Sequence, residues 1–101
     1  MERNIRLAED AAAKIWRLGA AALCPHKNSE RFGGVVPDDV ILAGDLEILR
    51  RCDALFLIDG WKRSAGATAE RTEAVARGIP VFESIEKLDA WLRSEAAFLG
   101  V

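Results

Sequence analysis

The chain has 101 residues, of which half are apolar, and its formal net charge is −2. This length suits one domain with a modest core, and the balanced charge argues against a surface that binds DNA, RNA or a membrane. No apolar run approaches the roughly 20 residues of a membrane span, and the charged start, MERNIRLAED, is unlike a signal peptide. Cys24 and Cys52 lack metal-ligand spacing, so we expect reduced thiols in a cytoplasmic protein with no metal and no cofactor.

The first part of the chain is predicted to form two helices and a short strand. Apolar residues recur at helical spacing over residues 2–18, and Gly19 ends that helix where left-handed dihedrals are needed. Residues 20–24, AAALC, are predicted to be a short buried strand, which a polar, glycine-bearing loop follows. A second helix is predicted over residues 37–51, because Pro and two Asp residues favour a first turn.

The second part of the chain is predicted to alternate strands with helices. DALFLID, residues 53–59, is apolar on both faces, which is typical of a parallel strand covered by helices. The loop GWKRSAG leads to a helix, ATAERTEAVAR, that ends at Gly78. A strand over 79–84 and a closing amphipathic helix complete the chain. We therefore expect one α/β domain over residues 1–101, a three-layer flavodoxin- or Rossmann-like parallel sheet flanked by helices, with strands near 20–24, 53–58 and 79–83.

A set of short motifs occurs in a defined order along the chain. They are Asn4 in the first helix, Pro25-His26 after the first predicted strand, Asp45 in the second helix, Cys52-Asp53-Ala54, SAGATAE at 64–70 and GIPV at 78–81. With this order and spacing the chain resembles the nucleoside 2-deoxyribosyltransferase-like superfamily, and most of all its small bacterial and phage members. The resemblance runs from Arg3 to about Leu92. Related N-hydrolases of 2′-deoxynucleoside 5′-phosphates share the fold and the Ser/Gly/Glu signature.

The resemblance implies chemistry at an N-glycosidic bond. In that superfamily the glutamate that closes the signature attacks the anomeric carbon of a deoxyribosyl group and displaces the base, which assigns the nucleophile to Glu70. The family's acid in the preceding helix, which protonates or orients the leaving base, corresponds to Asp45. Six residues before the nucleophile, transferases commonly carry Asp, whereas the nucleotide hydrolases carry a Ser that contacts phosphate. Ser64 stands at this position and therefore favours a nucleotide substrate.

Elementary chemistry is compatible with these roles. The N-glycosidic bond breaks through an oxocarbenium-like transition state, which a carboxylate below the sugar stabilises or captures covalently. In the predicted helix Glu70 lies in the first turn, where the helix dipole favours the ionised form by roughly 0.3–1 kcal/mol. Gly66 lets a ligand approach the backbone, and N–H groups at the helix start suit a phosphate or a hydroxyl.

Each candidate residue also has a structural interpretation. His26 follows a predicted strand and is a candidate substrate contact, although a single His is commonly structural. Trp61 suits stacking on a base and equally suits covering the sheet edge. Lys62 and Arg63 flank the predicted crevice, where they would attract phosphate or remain solvated charges. Without the resemblance, Ser64 and Gly66 are ordinary turn residues, and Glu70 and Asp45 are ordinary surface acids.

Three classes of function stay open. The first is an enzyme that cleaves or transfers at the N-glycosidic bond of a 2′-deoxynucleoside or its 5′-monophosphate. The second is a catalytically inactive nucleotide-binding or regulatory module of the same fold, and the third is a structural domain that dimerises. Glu70 and Asp45 favour the enzyme, whereas the lack of the superfamily's usual first, apolar strand favours the other two. A three-stranded sheet would leave apolar faces of the first two helices uncovered, so we expect a homodimer with those helices at or near the interface.

Overall fold

The structure is a computed structural model, and it describes residues 2–25, 32 and 34–98. Over these residues the fold is mixed α/β and mostly helical, with four α-helices and a two-stranded parallel sheet. The elements in chain order are α1 (Glu2–Arg17), α2 (Asp38–Leu49), β1 (Leu55–Phe56), a 3-10 helix (Trp61–Arg63), α3 (Ala65–Ala76), β2 (Val81–Phe82) and α4 (Ile85–Phe98). None of the described helices is long and apolar enough to cross a membrane.

The helix ends follow local sequence signals. The backbone turns left-handed at Gly19, with φ of 95°, directly after α1, and again at Gly78, with φ of 72°, after α3. Both positions had been predicted as helix ends, and both predictions are confirmed. Pro37 occupies the N-cap position of α2 with φ of −56°, and Asp38 and Asp39 fill its first turn. Acidic side chains there stabilise the positive end of the helix dipole.

The two strands and the helix between them form a β-α-β unit. Leu55 of β1 lies opposite Val81 of β2, and the strands run parallel. The Leu57 N–H donates to the Phe82 carbonyl at 2.8 Å, which extends the pairing past the end of β1. Because α3 connects two parallel strands, its first residues follow the carboxyl end of β1, where ligands bind in open α/β sheets.

One predicted strand is wrong. Residues 20–24 have irregular backbone, and the Leu23 residue is 60% exposed. Three of these five residues are alanine, which favours strands weakly and buries little apolar area, so the segment gains little from joining a sheet. The strands predicted near 53–58 and 79–83 are confirmed, although each is assigned over two residues. The described sheet therefore contains two of the three predicted strands.

The core of the described chain lies between the sheet and the helices α2 and α3. Its buried members are Leu49, Leu55, Leu57 and Ala74, and the half-buried side chains packed against them are Leu46, Trp61, Ala67, Ile79 and Val81. On the other side of β2, Phe82 contacts Trp91 of α4 with ring centroids 5.4 Å apart. Since α2 and α3 contribute to one cluster, they lie side by side, and this places the segments that carry Asp45 and Glu70 next to each other.

Candidate active site

Ser64 defines the start of α3. Its Oγ accepts a hydrogen bond from the Ala67 N–H at 3.1 Å, and its carbonyl accepts one from the Thr68 N–H at 3.0 Å. Ser64 is therefore the N-cap, a position that serine strongly favours. Ala65 and Gly66 are the first two residues of the helix, and their N–H groups have no hydrogen bond to other described residues. These two donors face the region beyond the helix start, where an anion would bind.

Gly66 leaves the first turn of α3 open. A Cβ at this position would lie 3.9 Å from the Ser64 Oγ, which is ordinary van der Waals contact, so the described fold would accommodate a side chain here. The φ of Gly66 lies outside the left-handed region. Neither backbone strain nor crowding by described residues thus accounts for this glycine.

Glu70 lies in the second turn of α3, so its predicted place in the first turn is wrong. The N-cap at Ser64 starts the helix at Ala65, two residues before the predicted start, and the first turn contains no acidic residue. The helix dipole acts mainly within the first turn and does not favour ionisation of Glu70 as predicted. Burial and, to a smaller extent, the charge of Asp45 together raise the pKa of Glu70 from 4.5 to about 7.

Asp45 approaches Glu70 from the neighbouring helix. Asp45 is half-buried near the middle of α2, and it lies close enough that its negative charge disfavours ionisation of Glu70. Two carboxyl groups that are 25 positions apart in the chain are thus brought together by the packing of α2 on α3. A half-buried pair of this kind holds its protons unequally, because two like charges in one site are unfavourable.

An ion-pair network ties the same two helices together beyond the carboxyl pair. The Arg50 Nε, just past the end of α2, donates to the Glu73 Oε1 of α3 at 2.8 Å. Arg77 also donates to Glu73, at 2.6 Å, while Arg50 and Arg51 bond Glu47 at 3.0 and 2.9 Å. Hydrogen bonds from Arg77 and Arg50 lower the pKa of Glu73. The sequence analysis missed this network, although the spacing of Glu73 three residues after the candidate nucleophile placed both on one helix face.

Trp61 is held in place by charged neighbours. Its Nε1 donates to the Glu83 Oε1 at 2.8 Å, and its ring packs against the core cluster. The Arg71 guanidinium lies 5.5 Å from the ring centroid and the Lys62 ammonium 5.8 Å, both within cation–π range. These contacts favour the structural interpretation, in which Trp61 covers the edge of the sheet, and its stacking on a base stays a prediction. Arg71, in the second turn of α3, was missed by the sequence analysis and lies, like Lys62, against the Trp61 ring.

The remaining predicted site residue and the surface depressions contribute little to this site. His26 lies outside the described residues. One depression of about 370 Å³ is lined by residues 34–38, and another of about 310 Å³ lies between the end of α1 and α4. Neither is lined by Asp45 or Glu70. Within the part of the chain that the structure describes, no group of three His, Cys, Asp or Glu residues could hold a metal ion.

Together, the fold and the site define a small mixed α/β domain whose candidate site is a carboxyl pair on two packed helices. Residues 1–83 match the model of a family described as "Domain of unknown function (DUF4406)". This match covers well over half of the chain, and the protein belongs to that family. It includes both Asp45 and Glu70 and ends just after β2. No curated protein and no solved structure matches the chain.

Proposed function

We propose that the protein cleaves or transfers at the N-glycosidic bond of a 2′-deoxynucleoside or its 5′-monophosphate, with Glu70 as the nucleophile. The observation that carries this proposal is the pairing of Glu70 with Asp45 next to the start of α3. An oxocarbenium-like transition state requires a carboxylate near the anomeric carbon, and departure of the base requires a group that orients or protonates it. The resemblance of SAGATAE to the deoxyribosyltransferase-like signature supports the same two roles.

The ionisation of the carboxyl pair suggests a different role for each of the two residues. In the free protein burial and the charge of Asp45 raise the pKa of Glu70 to about 7, so Glu70 is only partly ionised near pH 7. In the proposed reaction, ionised Glu70 bonds to the anomeric carbon as the carbon–nitrogen bond breaks, and the base leaves with the electron pair of that bond and takes a proton from water. Ionised Asp45 accepts a hydrogen bond from the base and orients it. Water or a second base then takes the sugar from Glu70.

A 5′-phosphate suits the start of α3. The Ser64 Oγ uses one lone pair on the Ala67 N–H, and its hydroxyl proton remains available for a phosphate oxygen. The N–H groups of Ala65 and Gly66 add two donors at the positive end of the helix dipole. Lys62 and Arg63 stand just before Ser64 and contribute positive charge. These features support a monophosphate over the bare nucleoside.

The proposal also includes a three-layer Rossmann-like fold and a homodimeric assembly. A three-layer Rossmann-like sheet is supported by the parallel β-α-β unit. A homodimer is supported by exposed apolar side chains on the first two helices, among them Trp16 at 58%, Val40 at 56% and Ile48 at 40% exposure. The neighbouring subunit would complete the substrate pocket around the carboxyl pair. The free thiols of Cys24 and Cys52 suit a cytoplasmic location.

The experiment measures free base released from a panel of deoxynucleosides and their monophosphates by chromatography. We expect release by the wild-type protein and none by Glu70→Gln or Glu70→Ala with an unchanged circular dichroism spectrum. Glu95→Gln, at an exposed acid on α4, is the matched control and should retain the wild-type rate. Wild-type rates in either Glu70 variant would remove this residue from the mechanism. Nucleotide binding without release of any base would favour the alternative, a catalytically inactive nucleotide-binding module.

A further inference from the structure

We propose that Arg50 is a positioning residue, whose bond to Glu73 holds α2 against α3 and thereby keeps Asp45 beside Glu70. Arg50 follows Asp45 by five residues, and Glu73 follows Glu70 by three. The Arg50–Glu73 pair thus crosses between the helices about one turn beyond the carboxyl pair. Among the ion pairs of the described residues, this one joins α2 to α3, whereas the others link residues within one helix or its end.

The bond between Arg50 and Glu73 is better fixed than an ordinary surface ion pair. The Glu73 side chain is 21% exposed and accepts a second bond from Arg77, while Arg50 also bonds Glu47. Long side chains that are already held by other partners lose less entropy when they form a bridge. The pair therefore resists separation of the helices about one turn from the candidate nucleophile.

Arg50 acts on Glu70 through helix position and not through its own charge. Several charged groups lie on the elements that pack against α3. On α2 and its end they are Asp38, Asp39, Asp45, Glu47, Arg50 and Arg51; on the 3-10 helix they are Lys62 and Arg63, and Glu83 follows β2. On α3 and its end they are Arg71, Glu73 and Arg77. Within the described chain, burial and the Asp45 charge are the two causes that raise the pKa of Glu70, and the charge of Arg50 is not among them. Both causes depend on close packing of α2 on α3, and both weaken when the helices separate.

The test is a carbon-13 NMR titration of the Glu70 side-chain carboxyl in the full chain, with Glu70→Gln assigning the signal. In Arg50→Ala we expect this pKa to fall by about one unit or more from its wild-type value near 7, because hydration and distance from Asp45 both increase. Arg50→Lys should restore most of the wild-type value, since an ammonium group can reach Glu73. Arg51→Ala is the matched control, because Arg51 bonds Glu47 without crossing to α3, and it should leave the pKa unchanged.

Every other outcome overturns the proposal. A higher pKa in Arg50→Ala would mean that the Arg50 charge acts directly on Glu70, and an unchanged pKa would mean that the bridge does not position the helices. An equal fall in Arg51→Ala would indicate general loosening of the domain. If Arg50→Ala does not fold, Arg50→Gln serves as the second variant: it keeps most of the side-chain stem but not the charge, and a lower Glu70 pKa is again expected. The titration requires no turnover, so its failure is distinguishable from failure of the proposed reaction.

Discussion

Asp45 on α2 raises the pKa of Glu70 on α3, and burial of Glu70 raises it more. The resulting pKa of about 7 places the ionisation of Glu70 within the range where the protein would work. A nucleophilic carboxylate must be ionised, so base release should increase with pH. With a pKa near 7, the ionised fraction rises about tenfold between pH 6 and pH 8. We expect kcat/KM to follow this rise, with a midpoint near pH 7.

Removal of the Asp45 charge should shift the pH dependence of kcat/KM. Asp45→Asn deletes the repulsion that disfavours ionised Glu70, so the midpoint should fall below that of the wild-type protein, although burial keeps it above 4.5. The overall rate should fall as well, because Asp45 orients the leaving base. Asp10→Asn on α1, at an exposed acid, is the control and should leave the midpoint in place. A wild-type rate that is flat or decreasing from pH 6 to pH 8 would contradict the assignment of Glu70 as nucleophile.

The same pKa shift predicts how folding stability depends on pH. Glu70 has a higher pKa in the folded protein than in the unfolded chain, so between about pH 4.5 and pH 7 the folded state binds more protons. The free energy of unfolding therefore decreases as pH rises through this window. Glu70→Gln removes the buried charge and should stabilise the protein at pH 8 by about 2 kcal/mol, with little change at pH 4. Each pKa unit is worth about 1.4 kcal/mol, and the remaining solvent contact of Glu70 reduces the total.

Urea unfolding of the wild-type and Glu70→Gln proteins at both pH values measures this difference. Glu95→Gln again provides the control, and its stability should match the wild-type protein at both pH values. Destabilisation by Glu70→Gln at pH 8 would show that ionised Glu70 has a stabilising partner, which is the opposite of the environment inferred here.

The helix ends and the two strands of the sheet could be predicted from the sequence because their signals are local. Gly19 and Gly78 mark helix ends through their own backbone dihedrals, and DALFLID is apolar enough to be buried in any arrangement. Residues 20–24 differ, because a strand of mostly alanine forms only if a neighbour pairs with it. That is a tertiary property, and a short apolar run does not reveal it.

The resemblance in the sequence pointed to the residues of the candidate site, but it did not indicate the pKa of Glu70. The motif order pointed to Asp45 and Glu70 together, which the packing of α2 on α3 makes possible. The position of Glu70 within α3 could have been read from Ser64, because a Ser before a run of helix-forming residues is a common start signal. The raised pKa of Glu70 comes from burial and from Asp45, and both depend on the packing of α2 on α3. The Arg50–Glu73 bridge joins residues 23 positions apart, so its detection requires the packed structure.

Ser64 offers a test that separates capping from phosphate binding. Ser64→Ala removes the bond to the Ala67 N–H and should lower the free energy of unfolding by about 1 kcal/mol. The variant should also show a smaller preference for a monophosphate, because the Ser64 hydroxyl is one of several groups that would bind the phosphate. Charge-assisted hydrogen bonds contribute roughly 1.5–3 kcal/mol, so the wild-type protein should bind dAMP at least about tenfold more tightly than deoxyadenosine.

Ser64→Asp distinguishes the two roles, because aspartate caps helices as well as serine does but repels phosphate. We expect this variant to keep wild-type stability in urea and to bind deoxyadenosine at least as well as dAMP by calorimetry. Equal affinity of the wild-type protein for dAMP and deoxyadenosine would count against the phosphate site. A Ser64→Asp protein that still prefers dAMP would place the phosphate elsewhere.

The exposed apolar side chains of α1 and α2 predict self-association. Trp16 and Val40 are each more than half exposed, and Ile48 adds to the apolar surface of α2. Since burial of such surface stabilises association by about 25 cal/mol per Å², light scattering at micromolar concentration should report twice the 11.0 kDa chain mass. Val40→Lys should shift the mass towards one chain, whereas Val75→Lys, at an equally exposed position on α3, is the control and should leave the dimer intact. A folded wild-type monomer would contradict this assembly, and a monomer produced only by Val75→Lys would move the interface to α3.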